Sequence, residues 1–238
     1  MKLYKYTTAE YGLAAIREKR LKVATLSDVN DPNEWIPIMR DDETGLDFHV
    51  IPEYREKFKS VWMGRWGFIS FSRLYNSLLM WGHYADKFRG MCLTFDVLDK
   101  SKIIDVRYTC ERFELGRRAR ETPTEDDFEN LIARKDWSWA YEQECRLISN
   151  LASCTTKRLP NGDTIYFQSF DPGIFPTHVL KLTGVVLGSE CTVTMEDIHQ
   201  SFNQKPPLGF SIEKLEADSL TYGLVVCGFK SWNGADWE

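Results

Sequence analysis

The run Tyr141-Glu142-Gln143-Glu144-Cys145-Arg146 concentrates more reactive side chains than any other short stretch of this sequence. Two carboxylates stand two positions apart, a guanidinium follows, and Trp137, Trp139 and Tyr141 precede them. On a strand, the two-residue period would set Glu142, Glu144 and Arg146 on one face and Cys145 and Leu147 on the other. Such a face is either an exposed, salt-bridged surface or a site for cationic chemistry.

Two other segments carry residues that a packed core alone does not require. Tyr4-Lys5-Tyr6 reads as a strand in which Lys5 or Tyr6 could donate to a ribose or a phosphate. Ser70-Phe71-Ser72 precedes Met80-Trp81-Gly82-His83-Tyr84, where Trp81 and Tyr84 are three apart and share a helix face with Leu78 and Phe88. That stripe is either core packing or the wall of a cleft on which a planar ligand stacks. His83 lies elsewhere on the helix and reads as a surface or capping residue.

Positioning these side chains requires elements that the sequence marks locally. Leu3–Tyr6 reads as a strand, and Thr7-x-x-Glu10 as a capping box for a helix reaching about Arg20. Leu21–Val23 follows as a short strand, and Asn30-Asp31-Pro32 as a turn. Residues 52–60 read as a charged helix. Gly67–Ser72 is a buried strand, the helix through Tyr84 ends at Gly90, and Met91–Phe95 is the next strand, giving a strand–helix–strand unit. Residues 103–108 are strand-like. Thr124 caps a helix with Glu125, Asp126 and Asp127 in its first turn. A strand at Cys145–Ile148, a turn at Pro160–Asp163, strands at 164–167, 179–182 and 185–187, a helix at 195–202, and closing strands at 210–212 and 224–226 complete the order. No repeat or linker interrupts it, so residues 1–238 are expected to form one domain, with the motifs in 1–150 and completing elements in 160–238.

Composition bounds the rest. The 238 residues, 43% hydrophobic and 27% charged, are enough for a packed core. A net charge of −5 gives no overall drive toward nucleic acid or an anionic membrane. No apolar run is long enough to span a bilayer, and the start turns polar at once, so a cytoplasmic protein without membrane association is expected. The cysteines, Cys92, Cys110, Cys145, Cys154, Cys191 and Cys227, include no Cys-x-x-Cys pair, and no metal site is expected. Cys92, Cys145 and Cys227 read as small buried hydrophobes. Arg112, Arg117, Arg118 and Arg120, followed at once by Glu121, read as a solvated face rather than a nucleic-acid patch.

Taken together, Leu3–Tyr6, Asn30-Asp31-Pro32 with Glu34, Phe71-Ser72, Met80-Trp81 with Tyr84, Gly90, and Trp139 with Tyr141-Glu142, Glu144 and Arg146 resemble a bacterial family of unknown function. The resemblance runs to about Ile148 and more weakly through Val185–Gly188. A fainter resemblance is to the ADP-ribosyltransferase superfamily. It rests on the order of a strand motif, a Ser–helix–Tyr segment followed by Gly and a strand, and a Glu opening a strand. That resemblance implies an α+β fold with a split, mostly antiparallel sheet and flanking helices, and NAD as substrate. It implies that Lys5 or Tyr6 holds the adenosine-side ribose and Tyr84, with Trp81, the nicotinamide. Ser72 falls at the superfamily's Ser position, Glu144 would orient the other ribose, and Glu142 would activate the acceptor. Arg73 or Arg146 would pair with the diphosphate. The chain departs from that superfamily in having no His or Arg in its first strand. The acceptor would be a macromolecule, protein or nucleic acid.

Two other readings stand beside this one. A nucleotide-binding sensor or interaction module, for example in a bacterial defence or toxin system, would keep the pocket without the chemistry, as the missing His or Arg suggests. A hydrolase of another glycosidic or phosphoester bond would use the same acids, the phosphoesterase with a divalent metal.

Overall fold

The computed structural model describes residues 1–31, 33–34, 36–38, 64–115, 124–170 and 179–238. The helix expected over 52–60, Pro32 of the Asn30–Pro32 turn, and Arg117, Arg118, Arg120 and Glu121 lie outside those residues.

Strand β1 (Lys2–Thr7) is central, and its sequence gives it two different faces. Leu3 points into one core with Ile69, Phe71, Leu93, Phe95 and Leu147. Tyr4 and Tyr6 face another with Met80, Trp81 and Cys92. The next helix, α1 (Ala9–Glu18), is capped by Thr8, whose hydroxyl accepts from the Tyr11 amide, so the expected cap at Thr7 is corrected. Thr7 is still paired with Met91 in the sheet and leaves the capping position to its neighbour. α1 leads into β2 (Arg20–Val23), and β3 (Trp66–Ser72) lies beyond.

Helix α2 (Leu78–Tyr84), capped by Ser77, joins β3 to β4 (Met91–Val97). Both strands are antiparallel to β1 and lie on either side of it, so the expected strand–helix–strand unit is split by β1. α2 ends at Tyr84 instead of reaching Gly90. Asp86, Lys87 and Phe88 follow with φ of 46°, 52° and 67°, a left-handed run that costs an L-residue about 1–2 kcal/mol per position. That turn brings Phe88 back to stack on Trp81, with ring centroids 6.5 Å apart. Leu78, expected on the buried stripe, is exposed instead with Leu79, while Met80 and Trp81 take the inward face of the same turn.

Gly90 is required by close approach. A Cβ there would lie 2.2 Å from the Thr7 carbonyl oxygen, which is fixed backbone. Gly90→Ala is expected to destabilise the fold by about 1–3 kcal/mol, read as a lower urea midpoint at unchanged slope. An unchanged midpoint would show that β1 and β4 can part there without cost.

The remaining elements extend this frame. β5 (Ile103–Asp105) and β8 (Glu144–Asn150) continue the sheet beyond β3, and β11 (Leu180–Leu187), β12 (Ser211–Ala217) and β13 (Leu224–Ser231) extend it beyond β4. The eight-stranded order is β13-β12-β11-β4-β1-β3-β8-β5, antiparallel except between β11 and β12. The strands expected at 179–182 and 185–187 are one strand carrying an irregularity between Leu182 and Gly184. β6 (Arg107–Tyr108) pairs in parallel with β7 (Arg134–Lys135), and α3 (Glu125–Ile132) precedes β7 with a Thr124–Asp127 capping box. β9 (Thr155–Arg158) and β10 (Thr164–Ser169) form a hairpin about the expected turn and join β2 in a three-stranded sheet. Thr194 caps α4 (Met195–Ser201), which packs on α1. This is an α+β fold with a mixed, largely antiparallel sheet as its core. Cys92 and Cys145 are buried as expected, but Cys227 is exposed, because β13 is an edge strand with little covering it.

One irregularity of the sheet matters for function. β1 pairs with β4 over six residues but with β3 at only one registered position, Tyr4 with Ser72. Beyond it β3 turns to Ala24, the residue after β2, at Phe68. The sheet is thus parted between β1 and β3, where Lys5 and Tyr6 face Ala24, Ser70 and Phe71 across a crevice.

Candidate functional site

The crevice has a volume of about 200 Å³ and lies between two apolar clusters. One cluster holds Phe68, Leu115, Phe128 and Leu131, and the other holds Tyr6, Met80 and Trp81. Between them sits a polar network: Glu34, Glu142 and Glu144 with Lys135 and Arg146.

Arg146 is the anchor. It is 1% exposed, and its register opposite Ser70 on β3 turns it toward the crevice side of the sheet. Its Nε and one terminal nitrogen donate to the two oxygens of Glu144, each at 2.7 Å, while the other terminal nitrogen donates to the Ile132 carbonyl at 2.7 Å. It also bonds Glu34 and lies 4.6 Å over the Phe68 ring. Each of its three nitrogens therefore has an acceptor, and the Phe68 ring covers its face, which is how a buried guanidinium is tolerated.

Lys135 is the second cation. The β6–β7 ladder sets it beside Tyr108, and its ammonium donates to Glu142 at 2.5 Å and Glu144 at 3.2 Å. It stands 3.7 Å from Glu34 and 4.8 Å from the centre of the Trp139 ring. Burial disfavours its charge, but the three carboxylates outweigh that and raise its pKa. These acids are bridged by cations, and among the described residues no group of three His, Cys, Asp or Glu is arranged to hold a metal.

Glu142 and Glu144 reach the network from different elements. Glu142 ends a 3-10 helix spanning Trp137–Glu142, Gln143 turns through a left-handed conformation at φ 41°, and Glu144 opens β8. The expectation that Glu142, Glu144 and Arg146 alternate along one strand is corrected for Glu142. The turn at Gln143 nonetheless returns its carboxylate to the same side. The exposed-face reading is overturned too, because Glu142 and Glu144 are only 3% and 6% exposed.

The turn is fastened to β3 by two hydrogen bonds. The Ser72 hydroxyl donates to the Glu142 carbonyl at 2.7 Å, and the Arg73 amide donates to the Gln143 carbonyl at 3.0 Å. Tyr108 Oη accepts from the Glu144 amide at 2.7 Å.

Environment separates the two acids. Burial opposes ionisation of both. For Glu144, the Arg146 guanidinium, Lys135 and Ser70 prevail and hold the carboxyl at about 2. For Glu142, burial prevails over Lys135 and Tyr84 and leaves the carboxyl above the ordinary range. Tyr84 donates to Glu142 at 2.5 Å and is also hydrogen-bonded to the Asn30 side chain. Burial and the neighbouring carboxylate push its phenol up, so it stays a donor. Two carboxyls with opposed protonation preferences on one ammonium are the pattern of a general acid or base beside a fixed charge.

Of the other expected site residues, Lys5, Tyr6 and Ser72 line the crevice. Tyr6 spends its hydroxyl on the Leu74 carbonyl at 2.9 Å. Three expected roles are corrected. Trp81 is fully buried, its indole N–H donating to the Tyr75 carbonyl at 2.7 Å, so it backs the wall instead of stacking on a ligand. Arg73 turns outward to Asp105 and Met1, away from the crevice. Arg146 is enclosed by its own carboxylates and leaves no face for a diphosphate. Lys135, Glu34 and Tyr108 carry no site role in the sequence reading, and Ser70 stands there only within the Ser70-Phe71-Ser72 segment. Glu34 stood in the family signature without a role, whereas nothing local marks Lys135.

Residues 80–147 match the model of a family described as Protein of unknown function (DUF2971). The match takes in Met80-Trp81, Tyr84, Gly90, Trp139, Glu142 and Glu144, together with Lys135 and most of the carboxylate network. The part of the signature at Leu3–Tyr6, Asn30–Pro32 and Phe71-Ser72 lies outside it. No curated protein and no solved structure matches the chain. The matched segment thus supplies Glu142, Glu144, Lys135, Arg146 and Tyr84, while Lys5 and Glu34 come from residues before it. None of the described helices is long and apolar enough to cross a membrane.

Proposed function

We propose that the crevice cleaves the nicotinamide–ribose bond of NAD and transfers ADP-ribose to a macromolecular acceptor, with NAD as substrate and no metal. The observation that carries this reading is the pairing of Glu142 and Glu144 on the Lys135 ammonium, at a parting of the sheet, with opposed protonation preferences.

Bond cleavage develops positive charge at the ribose. A carboxylate kept ionised by Arg146 is a fixed negative charge that needs no reorganisation as that cation forms. Glu142, the more readily protonated acid, takes the proton of the attacking group. Tyr84 presents its ring on the same wall, where it covers the nicotinamide. A 200 Å³ crevice takes the nicotinamide–ribose half of the dinucleotide and leaves the adenosine half toward the mouth. Its lining acids, Asp28, Asp31, Glu34, Glu142 and Glu144, outnumber Lys5, Lys135 and Arg146, which suits the cationic end of NAD better than its diphosphate.

Titration of the protein with NAD, followed by thermal shift, tests the reading. NAD at about a hundred times its Kd should stabilise the parent by about 2.7 kcal/mol, and Tyr84→Ala should lose most of that gain. A parent that NAD does not stabilise at millimolar concentration would reject NAD as the ligand.

Two observations favour the second reading, a nucleotide-binding module without turnover. Glu144 already accepts from Arg146, Lys135 and Ser70, and β1 carries Lys5 where the resemblance calls for His or Arg. NAD-dependent stabilisation without release of nicotinamide, in the presence of candidate protein and nucleic-acid acceptors, would decide for it.

A further inference from the structure

Lys5 is the cation that the carboxylate network leaves out. Lys135 and Arg146 between them take up Glu34, Glu142 and Glu144. Lys5 stands across the crevice on β1, one residue past the single pair that still joins β1 to β3. Among the described residues no acceptor lies within hydrogen-bonding or ion-pairing range of its ammonium. Across the parting it faces Ala24 and Phe71, whose side chains offer no hydrogen-bond acceptor, beside Ser70. An amine in such a place is costly to keep charged and has no structural bond to hold it.

We propose that Lys5 is a nucleophilic amine that condenses with the carbonyl carbon of a small hydroxylated aldehyde or ketone, such as the open-chain form of a reducing sugar. Nζ adds to the carbonyl carbon, a C=N bond forms, and the carbonyl oxygen leaves as water with the two protons lost by the amine. No oxidant or reductant is consumed. The reaction needs a neutral amine at the start and an acid to assist departure of the oxygen.

The crevice supplies both. Burial lowers the Lys5 pKa, Lys22 adds to that, and the attraction of Glu144 does not cancel it. Glu142, protonated more readily than an ordinary carboxyl, and the Tyr84 hydroxyl line the same cavity. Acceptors for sugar hydroxyls stand around them at Ser70, Asn30 and Glu34. This assignment does not rest on the NAD reading. If that reading holds, the C1 aldehyde of freed ADP-ribose belongs to the same chemical class.

Reductive trapping of the full chain tests it. The native protein is incubated with D-ribose and cyanoborohydride at pH 7, and the modified lysines are mapped by peptide mass spectrometry. One ribityl group should accumulate at Lys5, on the order of tenfold or more faster than at the exposed Lys2 and Lys181. That preference should vanish when the protein is unfolded first. Lys5→Arg, which keeps a cation but cannot form the imine, should lose the fast-labelled site. Labelling spread evenly over the lysines, or confined to exposed ones, would overturn the proposal and leave Lys5 as a counter-ion for an anionic ligand. The readout on the parent protein stands even if the variant fails to fold.

Discussion

Arg146→Met should destabilise the fold by about 3–5 kcal/mol, the expected cost of removing one partner from a buried ion pair. The side chain is 1% exposed and holds Glu34, both oxygens of Glu144 and the Ile132 carbonyl. Methionine fills comparable volume over Phe68, so the loss comes from stranded acceptors and not from a cavity. Arg146→Lys should recover little, because an ammonium cannot present the planar fork that serves Glu144 twice. Adding Glu34→Gln and Glu144→Gln to Arg146→Met should restore part of the stability, since the buried charges then disappear together.

Guanidinium unfolding reads these differences directly, and acid makes a second test with a definite sign. Glu144 is held at about 2 in the fold against about 4.3 in an unfolded chain. Its contribution is fully present above about pH 4.3 and is lost as pH falls from there toward 2. Glu142 has the opposite sign: its raised folded value adds stability below its unfolded pKa, and that is lost as pH rises through the folded one. Parent and Arg146→Met should therefore converge in stability as acid neutralises the carboxyls. An Arg146→Met protein within about 0.5 kcal/mol of the parent at pH 7 would mean that the network does not hold the site together.

How far this network could be read from the sequence follows from the range of the forces involved. Capping at Thr124, the hairpin about Pro160–Asp163, and the strands flanking α2 depend on neighbours in the chain, and they were legible. Thr7 and Thr8 offer the same capping chemistry, and only the pairing of Thr7 with Met91 decides between them. The acids at 142 and 144 and the ring at 84 were visible as types and spacing. Their burial was not, because an alternating Glu-x-Glu-x-Arg pattern is the same on a solvated face and on one roofed by α3 and the 3-10 helix. Lys135 lies seven residues before Glu142, but its role depends on a two-residue parallel ladder with Arg107–Tyr108 that no local signal announces. Trp81 illustrates the reverse error. An indole carries a polar handle wherever it sits, and the Tyr75 carbonyl that satisfies it is supplied by the loop before α2, so the residue is structural. The left-handed turns at Gln143 and at Asp86–Phe88 use residues without glycine's freedom, and tertiary contacts impose them.

Glu144→Gln should lower NAD turnover on the order of 10²–10³, the loss expected for one preorganised electrostatic group, and leave NAD-dependent stabilisation largely in place. The distinction follows from what the carboxylate does in the proposed reaction. A charge fixed by Arg146 and Lys135 interacts with NAD before bond cleavage and more strongly once the ribose becomes cationic, and only the difference accelerates the reaction. The amide keeps the shape but cannot carry the charge. Its amide nitrogen, a donor, must also face Arg146 or Lys135, so a fold cost of about 1–3 kcal/mol is expected and is measured alongside. Glu142→Gln separates the second role. With the parent, the rate should rise with pH through a limb lying above the usual carboxyl range, because Glu142 must lose its proton before it can accept one. The Glu142→Gln protein should be slow and should lack that limb, whereas Glu144→Gln should be slow and keep a pH-dependent limb, displaced downward because a neighbouring negative charge is gone. If Glu144→Gln turns over NAD as fast as the parent, the ionised carboxylate has no part in stabilising the cation. The network would then be a structural clamp around Arg146 alone.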